Sequence, residues 1–97
     1  MIMLKNTIPL DVQIVQGEGN IVSDMDGEKV MLNIANGKYY NLGQIGGYIW
    51  ELMSAPISVE QLVTALMKEF DVEQDVCEEQ TKLFLNHLLD EKIIHLC

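Results

Sequence analysis

The side chains able to do chemistry are few and scattered. Two cysteines, Cys77 and Cys97, and two histidines, His87 and His95, are the available soft and imidazole ligands. A zinc site needs such ligands in pairs at short, defined spacing. Cys77 lies inside a helical pattern, Cys97 ends the sequence, and neither histidine stands at ligand spacing from them, so no metal is expected. Nucleophilic and acid–base catalysis need a nucleophile beside a base, or a positioned acid and base. The chain has no G-x-S-x-G and no cysteine beside a positioned histidine. The carboxylates Asp24, Asp26 and Glu28 read as a solvated turn. Glu73, Asp75, Glu78 and Glu79 read as a helix N-terminus, where negative charge favours the helix dipole. Gly46-Gly47 could open an anion-cradling loop, but no GxGxxG spacing and no P-loop lysine follow. Tight packing of a helix on a sheet is the simpler reading. The sequence therefore reads as a non-enzyme with no catalytic residue, cofactor or metal.

What remains is the chemistry of an open strand. Three β-prone runs between Asn20 and Leu42 are separated by Asp26-Gly27 and Asn36-Gly37, strong short-range hairpin signals. The third run, Lys38 to Leu42, leads straight into a helical pattern. A three-stranded antiparallel meander follows, whose last strand has one neighbour and one open edge. An open edge can recruit an extended peptide by main-chain hydrogen bonds while pockets read alternate side chains. Tyr39-Tyr40 on that strand is either packing alone or half of such a site.

Two registers are open to the second hairpin. A two-residue turn at Asn36-Gly37 puts Ile34 on the side of Tyr39 and Asn41. A bulged loop, Ala35-Asn36-Gly37 with Gly37 left-handed, sets Ile34 against Lys38, Leu32 against Tyr40 and Val30 against Leu42. The second gathers four apolar residues on one face and is preferred, because register follows the apolar face. Tyr39 and Asn41 then point the other way, with Met31 and Asn33.

The elements that must position this strand can be read along the chain. The 97 residues suffice for one modest core, and 48% of them are hydrophobic, too many for a disordered chain. Residues 1 to 10 read as an irregular arm. Asp11 to Gln16 alternates, with Val12 and Ile14 on one side, as an edge strand or extended segment, and Gly17-Glu18-Gly19 breaks it from the meander. A first helix is expected over Gln44 to Ser54, with Ile45, Tyr48, Ile49, Leu52 and Met53 at helical spacing and Trp50 off that stripe, capping the side of the core. Ser58 with Gln61 forms a capping box for a second helix, Val59 to Phe70, burying Leu62, Val63, Leu66, Met67 and Phe70. A third helix, Glu73 to Glu91, has Cys77, Thr81, Phe84, Leu85 and Leu88 as its main stripe. Val76, Gln80, Leu83 and His87 lie on an adjacent stripe, either a broadened core face or the lining of a groove. Ile93, Ile94 and Leu96 form an apolar tail over the core. The fold class is α+β: a winged-helix-like domain, three antiparallel strands followed by three helices.

Charge narrows the partners. Fifteen acidic residues oppose six lysines and no arginine, for a net charge of −9. Such a surface repels phosphates and suits a basic peptide or protein partner. This argues against nucleic acid, and so against the alternative of a winged-helix transcriptional regulator. No apolar run approaches the roughly 18 residues of a membrane span, and the opening MIMLKNTIPLDV is too short an apolar stretch for a signal peptide. A cytoplasmic protein is expected.

The motifs resemble the PqqD-like family. Its G-[KR]-Y-Y-x-L strand is matched by Gly37-Lys38-Tyr39-Tyr40-Asn41-Leu42, and its helical I-W pair by Ile49-Trp50. The polar cap of its second helix is matched by Ser58-Val59-Glu60-Gln61-Leu62. The F-L-x-x-L end of its third helix is matched by Phe84-Leu85-Asn86-His87-Leu88, with Ile93-Ile94 as the tail. The resemblance covers roughly residues 12 to 96 of a single domain, 1–97, and the DMDG turn and GQIGG helix opening are similar to stand-alone lasso-peptide versions. It implies a non-catalytic recognition element for ribosomally made, modified peptides. Such elements bind the precursor's leader peptide as an extra strand beside the third helix. They present it to a cysteine-protease leader peptidase, upstream of an ATP-dependent macrocyclase. On this chain the groove would use Lys38, Tyr39, Tyr40, Asn41 and Leu42 on the strand for main-chain pairing, with Val76, Gln80, Leu83, Phe84 and His87 on the helix, positions read from helical phase.

Overall fold

The computed structural model describes residues 8–97. In chain order these form strands β1 (Gln13–Gln16), β2 (Asn20–Met25), β3 (Glu28–Asn33) and β4 (Tyr39–Leu42) and helix α1 (Gly43–Leu52). Strand β5 (Ile57–Ser58), helices α2 (Val59–Glu69) and α3 (Gln74–Asp90) and strand β6 (Ile94–Leu96) follow. The architecture is α+β, with the antiparallel meander β2-β3-β4 preceding the three helices. Of the arm expected over residues 1–10, residues 1–7 lie outside the described residues.

Asp26 and Gly27 close the first hairpin with both φ angles positive, +57° and +85°. That is the primed turn whose twist matches its flanking strands. The second hairpin departs from expectation. Asn33 N–H donates to the Lys38 carbonyl at 3.0 Å, and Gly37 N–H to the Asn33 carbonyl at 2.8 Å, so the loop runs from Ile34 to Gly37. Gly37 is left-handed, with φ of 70°. The pairs are Val30↔Asn41, Met31↔Tyr40 and Leu32↔Tyr39, one step from the preferred register. Tyr40 and Leu42 do share a face, but with Met31 and Asn33, not with Val30 and Leu32.

The reason is polar. The Asn33 side chain is buried. Its Oδ1 accepts the Asn36 N–H at 2.9 Å, and its amide donates to Asn20 Oδ1 at 2.6 Å. Asn36 Oδ1 accepts the Lys38 N–H at 2.8 Å. Asparagine side chains standing in for backbone partners stabilise the longer loop. Counting apolar residues on a face gives them no weight.

The first strand is not an edge. β1 is the centre of a second antiparallel sheet of order β5-β1-β6, pairing Ile14 with both Ile57 and Leu96. The apolar tail thus enters as a strand; Ile93 and Ile94 are buried, while Leu96 is exposed. Ser58 caps α2 as expected, its hydroxyl accepting the Gln61 N–H and the Gln61 side chain returning to the Ser58 N–H. Met67, expected inside, is exposed, and Phe70 is half-buried.

Helix α1 also turns differently. Its buried positions are Gly46, Gly47, Ile49 and Trp50, so Trp50 belongs to the core proper and Ile45 is exposed. The glycines explain the rotation. A Cβ on Gly47 would meet Lys29 Cγ at 2.6 Å, and one on Gly46 would meet Phe84 Cζ at 3.2 Å. The Lys29 stem therefore crosses α1 at Gly47, and its ammonium reaches Asp24 at 2.7 Å and Glu51 at 2.9 Å. Those two carboxylates, Asp24 first, raise the Lys29 pKa above its usual value.

At the far end, α3 closes with a Schellman motif. Ile93 N–H donates to the Leu88 carbonyl and Lys92 N–H to the Leu89 carbonyl, with Lys92 left-handed at φ of 62°. This reverses the chain into β6 and fixes Glu91 at the helix exit.

Candidate functional site: an open strand edge beside an apolar trough

Among the described residues β4 pairs only with β3, which leaves its other edge open. Antiparallel ladders alternate bonded and non-bonded pairs. The Asn33–Lys38 bond fixes the phase: Tyr40 turns its N–H and C=O inward to β3, and Tyr39 and Asn41 turn theirs outward. A row of main-chain donors and acceptors is thereby available to an extended chain.

Beside this edge lies a trough walled by α3. No hydrogen bond or ion pair joins β4 to the α3 stretch Val76–Phe84 among the described residues. The trough deepens at its Leu42 end into an open cavity of about 310 Å³. Leu42, Ile45, Gly46 and Ile49 line one side, Val76, Cys77, Gln80, Thr81 and Phe84 the other, and Leu66, Phe70 and Val72 the base. The lining is overwhelmingly apolar. Phe84 reaches across to α1 because Gly46 has no side chain. Ile45 and Val76, both about half exposed, stand at the mouth. Such a cavity takes an apolar or aromatic side chain, with polar specificity left to the neighbouring main chain.

The other end of the trough is closed by a polar clasp. Glu91 Oε1 accepts the Tyr40 hydroxyl at 2.8 Å, Lys38 Nζ at 3.3 Å and Asn36 Nδ2 at 3.5 Å. Asn36 also donates to the Tyr40 oxygen at 2.9 Å. The Tyr40 and His87 rings meet edge-on with centroids 6.3 Å apart. The Tyr40 bond first, and Lys38 second, hold the Glu91 carboxyl below its usual value. Desolvation, then the bond to Glu91, pushes the Tyr40 phenol up.

The residues singled out in the sequence divide accordingly. Tyr40, Leu42, Val76, Gln80, Phe84 and His87 come together along the trough. Tyr39 and Asn41 bring only their main chain to it. Tyr39's side chain stands on the outer face of the sheet, 73% exposed. Asn41 turns to Glu28 at 3.3 Å, and its Oδ1 accepts the Gly43 N–H at 2.9 Å. Lys38 precedes β4 and touches the clasp alone. Leu83 is exposed and outside the cavity. Sequence reasoning missed Ile45, Val72 and Cys77 in the cavity and Asn36 and Glu91 in the clasp. Ile45 lies about 140° from Trp50 by helical phase, so a core containing Trp50 turns Ile45 outward. Nothing local signals Glu91.

Elsewhere, Cys77 is buried with its sulfur 4.0 Å from Thr81 Oγ1, and Cys97 is exposed. Among the described residues, no three His, Cys, Asp or Glu side chains come together as a metal site, and no helix is long and apolar enough to cross a membrane.

A family model described as coenzyme PQQ synthesis protein D (PqqD) matches residues 28–94, well over half of the chain. No curated protein matches it by sequence. Among solved structures, TbiB1 in complex with the TbiA(beta) leader peptide is similar, with a TM-score of 0.74 and 25% identity. The match covers 84% of this chain and 94% of that one.

Proposed function

The chain belongs to the coenzyme PQQ synthesis protein D (PqqD) family, and from that membership we propose that it is a non-catalytic adaptor for the leader peptide of a ribosomally made precursor, most consistently a lasso peptide. The leader adds as a strand to the open edge of β4. Its main chain pairs with Tyr39 and Asn41, and an apolar side chain enters the cavity of Leu42, Val76 and Phe84. Gln80 and His87 offer polar contacts along the wall, Lys38 lies at the clasp end, and Leu83 stands exposed beside the wall. The adaptor then presents the leader to a separate cysteine-protease leader peptidase, ahead of a macrocyclase. The whole chain acts as one recognition domain in the cytoplasm.

The observation that carries this reading is the conjunction of an unpaired strand edge with an apolar trough, in a fold whose solved relative is in complex with a leader peptide. The regulator alternative is not favoured, since neither comparison points to a DNA-binding protein and the net charge of −9 opposes phosphate contact.

The test is calorimetric titration with the leader segment of the precursor encoded beside this protein, followed by leader cleavage with the neighbouring peptidase. Saturable one-to-one binding and faster cleavage in the protein's presence are expected. Cleavage by this protein alone, or binding to duplex DNA in place of the leader, overturns the proposal.

A further inference from the structure

We propose that Glu91 is a positioning residue for the trough, holding Tyr40 and the β3–β4 loop against the end of α3 so that the β4 edge and the α3 wall stand at the spacing an added strand requires. This rests on the adaptor reading above and extends it to a residue outside the trough.

Three donors from the meander converge on one carboxylate oxygen of α3's capping residue. These bonds tie the exit of α3 to the β3–β4 hairpin. The anchor is rigid, because the Schellman motif fixes the backbone at Glu91 on both sides. The gripped residue matters, because Tyr40 is half-buried on the trough side of β4, packs edge-on to His87 and has its own N–H and C=O committed to β3. Moving its ring shifts the closed end of the trough while the strand pairing stays intact. An exposed Lys38–Glu91 pair alone would contribute little. The Tyr40 bond, shorter and partly buried, is the one that sets the geometry.

Three variants separate this from a merely structural role: Glu91→Ala, Glu91→Gln, and Glu91→Ala combined with Tyr40→Phe. Glutamine keeps an acceptor where the carboxylate oxygen stands. The first readout needs no peptide: nuclear Overhauser contacts between the Tyr40 and His87 rings in the free protein. They should persist in the wild type and Glu91→Gln and disappear in Glu91→Ala. The second is leader affinity by fluorescence anisotropy. Glu91→Ala should weaken it about fivefold or more, the equivalent of one net hydrogen bond. Glu91→Gln should restore most of it, and Tyr40→Phe should add nothing in the Glu91→Ala background. Ring contacts that survive in Glu91→Ala overturn the proposal whatever the leader does. So does unchanged leader affinity after those contacts are lost. A wild-type protein that binds no leader overturns the adaptor reading, and the ring contacts still decide whether Glu91 positions Tyr40.

Discussion

Proline at two adjacent positions of β4 should have opposite consequences. Proline lacks an N–H and is tolerated in sheets only where no ladder bond is lost. The Tyr40 N–H faces β3 and the Tyr39 N–H faces the open edge. Tyr40→Pro removes an internal ladder bond and strands its partner carbonyl. It also deletes a half-buried ring and its bond to Glu91. The lost bond and the unpaired group together cost roughly 2–3 kcal/mol, which for a domain this size is a fall of at least about 10 °C in melting temperature. Tyr39→Pro removes no internal bond, and its side chain is already exposed. Its fixed φ suits an extended edge residue, and the preceding Lys38 needs no helical conformation. Its melting temperature should stay within a few degrees of the wild type.

The binding results should diverge the other way. Tyr39→Pro denies the leader one main-chain donor, about 1 kcal/mol or a fivefold loss of affinity. Tyr39→Ala, which keeps the N–H and loses the ring, separates main chain from side chain and should bind more tightly than Tyr39→Pro. Position 39 is a cleaner probe than 41, because the Asn41 side chain also holds the Gly43 N–H. Thermal melts by circular dichroism and anisotropy titrations of labelled leader read both effects. If Tyr39→Pro stays folded and binds the leader like the wild type, the peptide does not pair with this edge and the proposed mode of recognition is wrong.

Three further outcomes are expected. Gly47→Ala should destabilise by roughly 1–3 kcal/mol in denaturant titration, because overpacking against the Lys29 stem outweighs the gain in helix propensity. A stability equal to or above the wild type would show that Lys29 yields. Trp50→Phe should cost roughly 1–2 kcal/mol of stability by leaving space in the core, with leader affinity unchanged; lost affinity at unchanged stability would place Trp50 in the site. The Glu91 carboxyl is held below its usual value of 4.5 by Tyr40 and Lys38, with His87 adding a smaller attraction. Its folded pKa is thus below the unfolded one. The stabilisation is complete above about pH 4.5 and is lost as pH falls through the folded value. The melting-temperature gap between wild type and Glu91→Gln should close as pH falls from about 5; a gap that widens there contradicts the assignment.

The fold was legible in the sequence where one residue's neighbours in the chain settle its role. Asp26-Gly27 sets its turn by backbone preference, and Ser58 with Gln61 sets a helix start by reciprocal hydrogen bonds. Cys77, Thr81, Leu85 and Leu88 mark the buried side of α3 by spacing. The open edge followed from the meander being last before a helix. What was not legible depends on partners far along the chain. β1 becomes a central strand only because Ile57 and Leu96 arrive from 43 and 82 residues away. The register of β4 turned on the side-chain amides of Asn33, which is buried, and Asn36, which apolar patterning ignores. Glu91 looks like any solvated helix-end acid until the meander is laid beside it.

The same distinction explains why the trough is open where it is. Gly46 and Gly47 let two long side chains close on neighbouring faces of α1, Phe84 from α3 and Lys29 from β3. α1 is thus wedged between sheet and helix, and this sets the spacing of β4 from α3 at the Leu42 end. Glu91 sets it at the Lys38 end. Between those two fixings, the outward main chain of Tyr39 and Asn41 has no partner among the described residues. A chain that packed a larger residue at Gly46 would push Phe84 into the cavity, and one that lost Glu91 would free the Tyr40 ring. Either change alters the trough while leaving the β2-β3-β4 ladder whole, so recognition can be damaged at residues that contribute nothing to the strand edge itself.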